Sequence, residues 1–257
     1  MKRITYLLLI ILFFGVMPIS SASNEWNDLK SRHFIIYYKN APREFIKTVE
    51  QSAEDYYFDI VDELGFTRDQ IWTWDERVKI YIYDNQQDYL TLARQASWSA
   101  GSTMLGSKVI RTFPSAHGFF DSLLPHELGH IIFRDYVGFE SNIPLWFDEG
   151  VAMYQEKAKR WGANQEVKSA IQDKSFCSLS DLRLTRKSSQ SDVNLFYAES
   201  ASVVYYLISE FGSFKFLNFC RNLKKGLSFN RALKKSYYRF ENVNDLNKTW
   251  VGYLKNE

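Results

Sequence analysis

His126-Glu127-Leu128-Gly129-His130 sets two imidazoles four residues apart, with a carboxylate next to the first. On an α-helix, residues four apart lie about 40° apart around the axis and one turn displaced. Both rings can then reach one zinc ion at Zn–N distances near ~2.0–2.1 Å. Glu127 projects about 100° from His126. It can stand beside the ion without ligating it, where a base must sit to take a proton from attacking water. Pro125 suits this helix if Ser122 is the N-cap, because a missing N–H in the first turn costs no hydrogen bond. A catalytic zinc site needs a third ligand and an open fourth position. The stretch from Ile143 to Ala152 offers Glu149, separated from His130 by eighteen residues. That interval accommodates the end of one helix, a loop over 139–142 and a second helix opened by Pro144. Antiparallel packing of the two helices would return Glu149 to the histidine pair. A third histidine at short spacing is absent, since Tyr136 and Glu140 stand where it would fall. Asp148 reads either as a partner orienting a ligand histidine or as a solvated carboxylate at a helix start.

The elements that must position these groups follow from periodicity. His33 to Tyr38 reads as a strand, and Pro42 opens a helix. Phe45, Val49, Ala53, Tyr56, Tyr57, Ile60 and Leu64 give that helix one apolar face, and Gly65 ends it. Val78, Ile80 and Ile82 alternate with more polar residues as a half-buried strand. A short helix over 86–94, a turn region over 101–106 and a strand over Lys108 to Phe113 come next. From Phe119 onward the pattern is helical: about 122–136, 144–159, then a polar loop over 185–192. A long apolar helix from Asn194 to Phe211 stops at Gly212, and two or three further helices end the chain. Strands first and helices second predict an α+β fold, a small mixed sheet followed by a mostly helical C-terminal half.

The chain has 257 residues, 46 % hydrophobic and 24 % charged, which suits a folded domain with a sizeable core. Lys2 and Arg3 precede an apolar run to Met17, then Pro18 and the small residues Ser20 to Ser23. This is the order of a secretory signal over residues 1–22. The alternative is an uncleaved anchor, although sixteen residues from Ile4 to Ile19 fall short of the ~20 that span a bilayer. Cleavage removes two of the 32 basic residues and none of the 30 acidic ones, leaving the exported protein with no net charge. Bulk nucleic-acid binding is therefore not expected. In an exported protein Cys177 and Cys220 could pair, or remain two separate buried thiols. His33 reads as structural, and His117 either faces the cleft or is a plain loop residue. Seven basic residues from Arg221 to Arg239, with no acid among them, read as a solvated helical face, with an anionic surface as the rival. Lys108–Phe113 is the expected edge strand along which a peptide would lie.

HELGH, followed after eighteen residues by Trp146-Phe147-Asp148-Glu149-Gly150-Val151-Ala152, resembles the gluzincin metallopeptidases. The closer likeness is to small bacterial peptidase MA-like domains, which also show a segment like Phe196-Tyr197-Ala198-Glu199-Ser200-Ala201-Ser202 before an apolar helix. The likeness is strong over about 120–155, moderate over 194–225 and weak before 115. It implies one zincin-like domain over 23–257, with a sheet-containing part about 30–115 and a zinc-site and helical part about 116–257. It also implies Zn2+ held by His126, His130 and Glu149, Glu127 as base and Tyr197 as the hydroxyl near the oxyanion. The implied activity is hydrolysis of a peptide or protein substrate. Where related aminopeptidases carry G-x-M-E-N, this chain has Gly101-Ser102-Thr103-Met104, with no acidic residue. Endopeptidase and exopeptidase activity thus both stay open. A non-catalytic zinc-binding scaffold and a membrane-anchored interaction protein are the rival readings.

Overall fold

The structure is a computed structural model, described here for residues 25–256 except 68–71, 96, 98, 186 and 187. The signal-like segment lies outside the described residues. Five strands form one mixed sheet: β1 Asn27–Lys30, β2 Phe34–Tyr38, β3 Val78–Ile82, β4 Gly101–Met104 and β5 Val109–Thr112. Their spatial order is β1-β2-β3-β5-β4. The inner pairs β2–β3 and β3–β5 are parallel, and the outer pairs β1–β2 and β4–β5 are antiparallel. Two expectations change. The residues from Gly101 to Met104 form a strand rather than a turn, and β5 lies inside the sheet, with β4 as the edge. Gly and Ser disguise β4 because its backbone is ordered by pairing with β5, not by its own side chains.

Helix α1, Arg43–Glu63, buries Ile46, Val49, Ala53, Tyr57 and Ile60. It ends as expected: Gly65 takes φ +76°, its N–H donates to Asp62 O, and that of Phe66 donates to Val61 O. This paired closure of a helix needs a residue without a Cβ penalty at the left-handed position. The short helix α2 spans Gln86–Leu92. Then come α3 Leu124–Val137, α4 Leu145–Gln155, α5 Lys157–Asp173 and α6 Gln190–Phe211. The chain closes with α7 Ser213–Lys224, α8 Phe229–Tyr237 and α9 Val243–Asn256. The expected helix over 144–159 is broken at Glu156, after which α5 begins.

The core of the sheet half combines the fully buried Ile36, Ile80, Ile82 and Ile110 with the buried rings of Phe34, Phe66 and Tyr89. Rings also build the core of the helical half: Phe147 meets Phe219 and Phe229 edge-on, with centroids 5.4 and 5.1 Å away. Such edge-to-face pairs add to the burial of apolar area. On α8, Phe229, Ala232, Leu233 and Tyr237 are buried while Arg231, Lys234 and Lys235 face outward, so this part of the basic stretch is a helix exterior. No helix among the described residues is long and apolar enough to cross a membrane. Cys177 and Cys220 are both free thiols.

Candidate metal centre and its cleft

The zinc-motif helix α3 is launched differently from expectation. A single π-helical turn, Phe119–Leu123, precedes it, and Pro125 lies in its first turn. Ser122 does not cap the helix. Its hydroxyl donates instead to Glu156, at the end of α4.

His126 and His130 project from one face of α3, with Nε2 atoms 3.2 Å apart. Glu149 Oε2 lies 3.5 Å from the first and 3.6 Å from the second. Those three atoms form a nearly equilateral triangle. For a tetrahedral ion with bonds of ~2.0–2.1 Å, adjacent donors stand roughly 3.3 Å apart, so the donor set fits zinc. Each ring is turned by a carboxylate on its far side. Nδ1 of His126 lies 2.7 Å from Glu156 Oε1, and that of His130 lies 3.2 Å from Asp148 Oδ1. A bond at Nδ1 fixes the tautomer that leaves Nε2 free to ligate. Asp148 is buried and is held in turn by Nε of Arg134 at 2.8 Å, while Arg134 Nη1 donates to Ser141 O. Asp148 thus takes the orienting role rather than that of a solvated carboxylate.

The electrostatics favour a cation. Burial pulls the His130 pKa down, but Asp148 and Glu149 outweigh it and push it up to about 10. His126 is likewise desolvated, yet raised by Glu149 and Glu156. Burial would raise the Glu149 carboxyl, but the two imidazoles bring it down to about 2. Carboxylates crowd the rings closely enough to hold protons on them, a field that a divalent cation would satisfy.

Two close approaches let the helices meet around this triangle. A Cβ on Gly129 would stand 3.0 Å from Gln155 Cγ and 3.1 Å from Ala152 Cα, so α3 and α4 pack nearly backbone to backbone. A Cβ on Gly150 would come within 2.3 Å of Ser200 O. The glycine after Glu149 is therefore where α4 presses on α6.

A cleft of about 750 Å³ opens beside the triangle. His126, Glu127 and Tyr197 all line it, as does His117, which resolves that residue toward the cleft. Thr103 of the edge strand β4 donates its hydroxyl to Glu127 Oε2. Tyr197 comes from α6. Burial and the charges of Glu149, Glu127 and Glu156 push its pKa up to about 12, so its hydroxyl keeps its proton at neutral pH and can donate it. His33 lies elsewhere: its ring is 2.6 Å from Glu54 and stacks on Tyr57, a buried structural role.

Sequence reasoning missed Glu156, Thr103, Ser122 and Arg134. Glu156 had a signal, since it follows Glu149 by seven residues, two helical turns along nearly the same face. Thr103 lay in the segment that stands in place of G-x-M-E-N, but its partner was not legible, because only the sheet brings it to Glu127.

A helix-borne histidine pair, a Glu from the next helix and a mixed sheet at their side define a zincin-like fold with a gluzincin donor set. A family model described as the Peptidase MA superfamily matches residues 67–256, and the chain belongs to that superfamily. Among solved structures, native yeast LTA4 hydrolase is similar in fold, with a TM-score of 0.52 at 14% identity. The match covers 88% of this chain and 39% of that one, so this chain spans well under half its length. A comparison with curated protein sequences finds no match. The family implies a peptidase-type enzyme and zinc as its metal.

Proposed function

We propose that this chain is an exported zinc-dependent metallopeptidase that cleaves peptide bonds in the cleft between β4 and α6. The observation that carries the reading is the triangle of His126, His130 and Glu149 donors, with Glu127 at its edge and outside it. Zinc, when bound, supplies a Lewis acid for the scissile carbonyl and lowers the pKa of water. The residues of the chain supply the rest. A peptide lies along the outer edge of β4, whose Thr103 touches Glu127, which replaces the expected role of Lys108–Phe113. Glu127 accepts a proton from the water whose oxygen attacks the carbonyl carbon. It returns the proton to the amine nitrogen as the C–N bond breaks. Thr103 keeps the Glu127 carboxylate aimed, and the Tyr197 hydroxyl donates to the oxyanion. The signal-like residues 1–22 support export. Retention of Glu127 favours catalysis over a scaffold, since a purely structural metal site needs no base.

The test combines metal analysis with cleavage. Purified protein should carry zinc near one per chain and cut members of a mixed peptide library. His126→Ala, His130→Ala and Glu149→Ala should each lose the metal, because a two-ligand site lacks geometry and affinity. Glu127→Gln should keep both zinc and fold while hydrolysis nearly vanishes. Near-stoichiometric zinc in Glu149→Ala would falsify the ligand set, and loss of zinc in Glu127→Gln would mean that ligand and base are misassigned.

A further inference from the structure

The cleft has a far wall that the chemistry above leaves unused. It is built from α5, where Gly162, Ala163 and Glu166 share one face, and from Asn194 and Ala198 of α6. Ala163 and Met153 are buried and pack together with Tyr197, giving this wall an apolar floor next to the proposed oxyanion donor. Three carboxylates line the cleft, and no lysine or arginine does so among the described residues. Two of the three are engaged, Glu127 by Thr103 and Glu156 by His126 and Ser122. Glu166 is exposed and has no hydrogen bond or ion pair among the described residues. An apolar wall of small side chains beside an exposed carboxylate that has no ion pair among the described residues complements one kind of substrate group. That group has a methylene stem several carbons long and a cationic head, which buries its stem while the head stays hydrated.

Resting on the peptidase reading of this cleft, we infer that Glu166 selects substrates carrying a lysine or arginine side chain near the scissile bond. Glu166 is a specificity residue that stands apart from the metal triangle. It acts on binding through charge, over a distance that salt screens.

The test uses N-acetylated, C-amidated peptide pools that differ at one fixed position: Lys, Arg, norleucine or Glu. Blocked ends remove the amino terminus as a competing cation. Binding of the pools to Glu127→Gln protein is measured alongside cleavage by the wild type, so that selection is read without turnover. The Lys and Arg pools should be favoured over norleucine by about fivefold, the scale of one partly exposed ion pair. The preference should shrink at high salt. Glu166→Gln should reduce the ratio to near one, and Glu166→Lys should shift it toward the Glu pool. An unchanged ratio in Glu166→Gln, or no preference in wild type, overturns the inference while leaving the peptidase intact. Failure of the peptidase reading has a different signature, cleavage that persists in Glu127→Gln or is absent altogether, while the binding ratios still decide the role of Glu166.

Discussion

At the scale of single residues, the geometry of the donor triangle depends on groups outside it. Glu156 is 2 % exposed and ends a helix at φ −79°, ψ 81°, where its carboxylate reaches both Nδ1 of His126 and the Ser122 hydroxyl. Glu156→Gln keeps an oxygen for the imidazole N–H but removes the charge that raises the ring's basicity. Zinc affinity should fall about 10–100-fold, the cost typical of an altered outer partner, with the far-ultraviolet spectrum unchanged. Competition with a metal chelator measures this, and affinity equal to wild type would reduce Glu156 to a packing residue. Tyr197→Phe keeps the ring against Met153 and Ala163 and loses only the hydroxyl. If that hydroxyl meets the oxyanion alone, kcat should drop by ~10²–10³ with KM little changed. An unaltered kcat would return Tyr197 to the core and turn attention to His117.

At the scale of elements, the meeting of the histidine pair with Glu149 and most of the helices were legible because they rest on local spacing. The apolar stripe of α1, the alternation of β3 and the stop at Gly212 are all written in short windows of sequence. What was hidden depends on partners distant in the chain. β1, as Asn-Asp-Leu-Lys, and β4, as Gly-Ser-Thr-Met, are edge strands with polar or small side chains, and pairing alone makes them strands. The π-turn before α3 and the break at Glu156 bring Ser122 and Glu156 into contact across 34 residues, beyond any short window of sequence. Gly150 belongs to this scale, since it sets how closely α4 and α6 approach. Gly150→Ala places a methyl within 2.3 Å of a backbone oxygen and 2.7 Å of Val204 Cγ2. The Val204 methyl can rotate, but the backbone oxygen cannot swing aside without moving a helix, so stability should fall by about 3 kcal/mol, and Glu149 should lose register with the histidines. Gly162→Ala is the control, because its Cβ meets nothing within 4 Å. In a helix interior it should gain about 0.5–1 kcal/mol. Denaturant unfolding of both variants compares them, and equal stabilities would refute the close-packing account.

At the scale of the whole molecule, stability should carry the signature of a buried acid that the chemistry does not use. Glu199 lies 200° around α6 from Tyr197, so the helix turns one residue to the cleft and the other away from it. Glu199 is fully buried; Oε1 accepts the Cys177 N–H at 2.9 Å, and Oε2 has no partner among the described residues. Burial pushes its pKa up to about 8, against the Cys177 bond that pulls the other way. Its ordinary value is 4.5. Between those two values the native state holds a proton that the unfolded chain has released. Stability from this group is therefore fully present below about pH 4.5 and is lost progressively as pH rises toward 8. The steepest slope is about 1.4 kcal/mol per pH unit, and the total is on the order of a few kcal/mol. Glu199→Gln keeps an acceptor for Cys177 and cannot ionise, so it should abolish this component. The metal-site groups titrate too, which makes the difference between the two proteins the informative quantity. Urea unfolding of wild type and Glu199→Gln at several values from pH 5 to 8.5 provides it. The variant should gain on wild type steadily as pH rises and then level off above 8. Parallel stability curves across that range would mean that Glu199 is ionised in the folded protein and that an unseen partner satisfies Oε2.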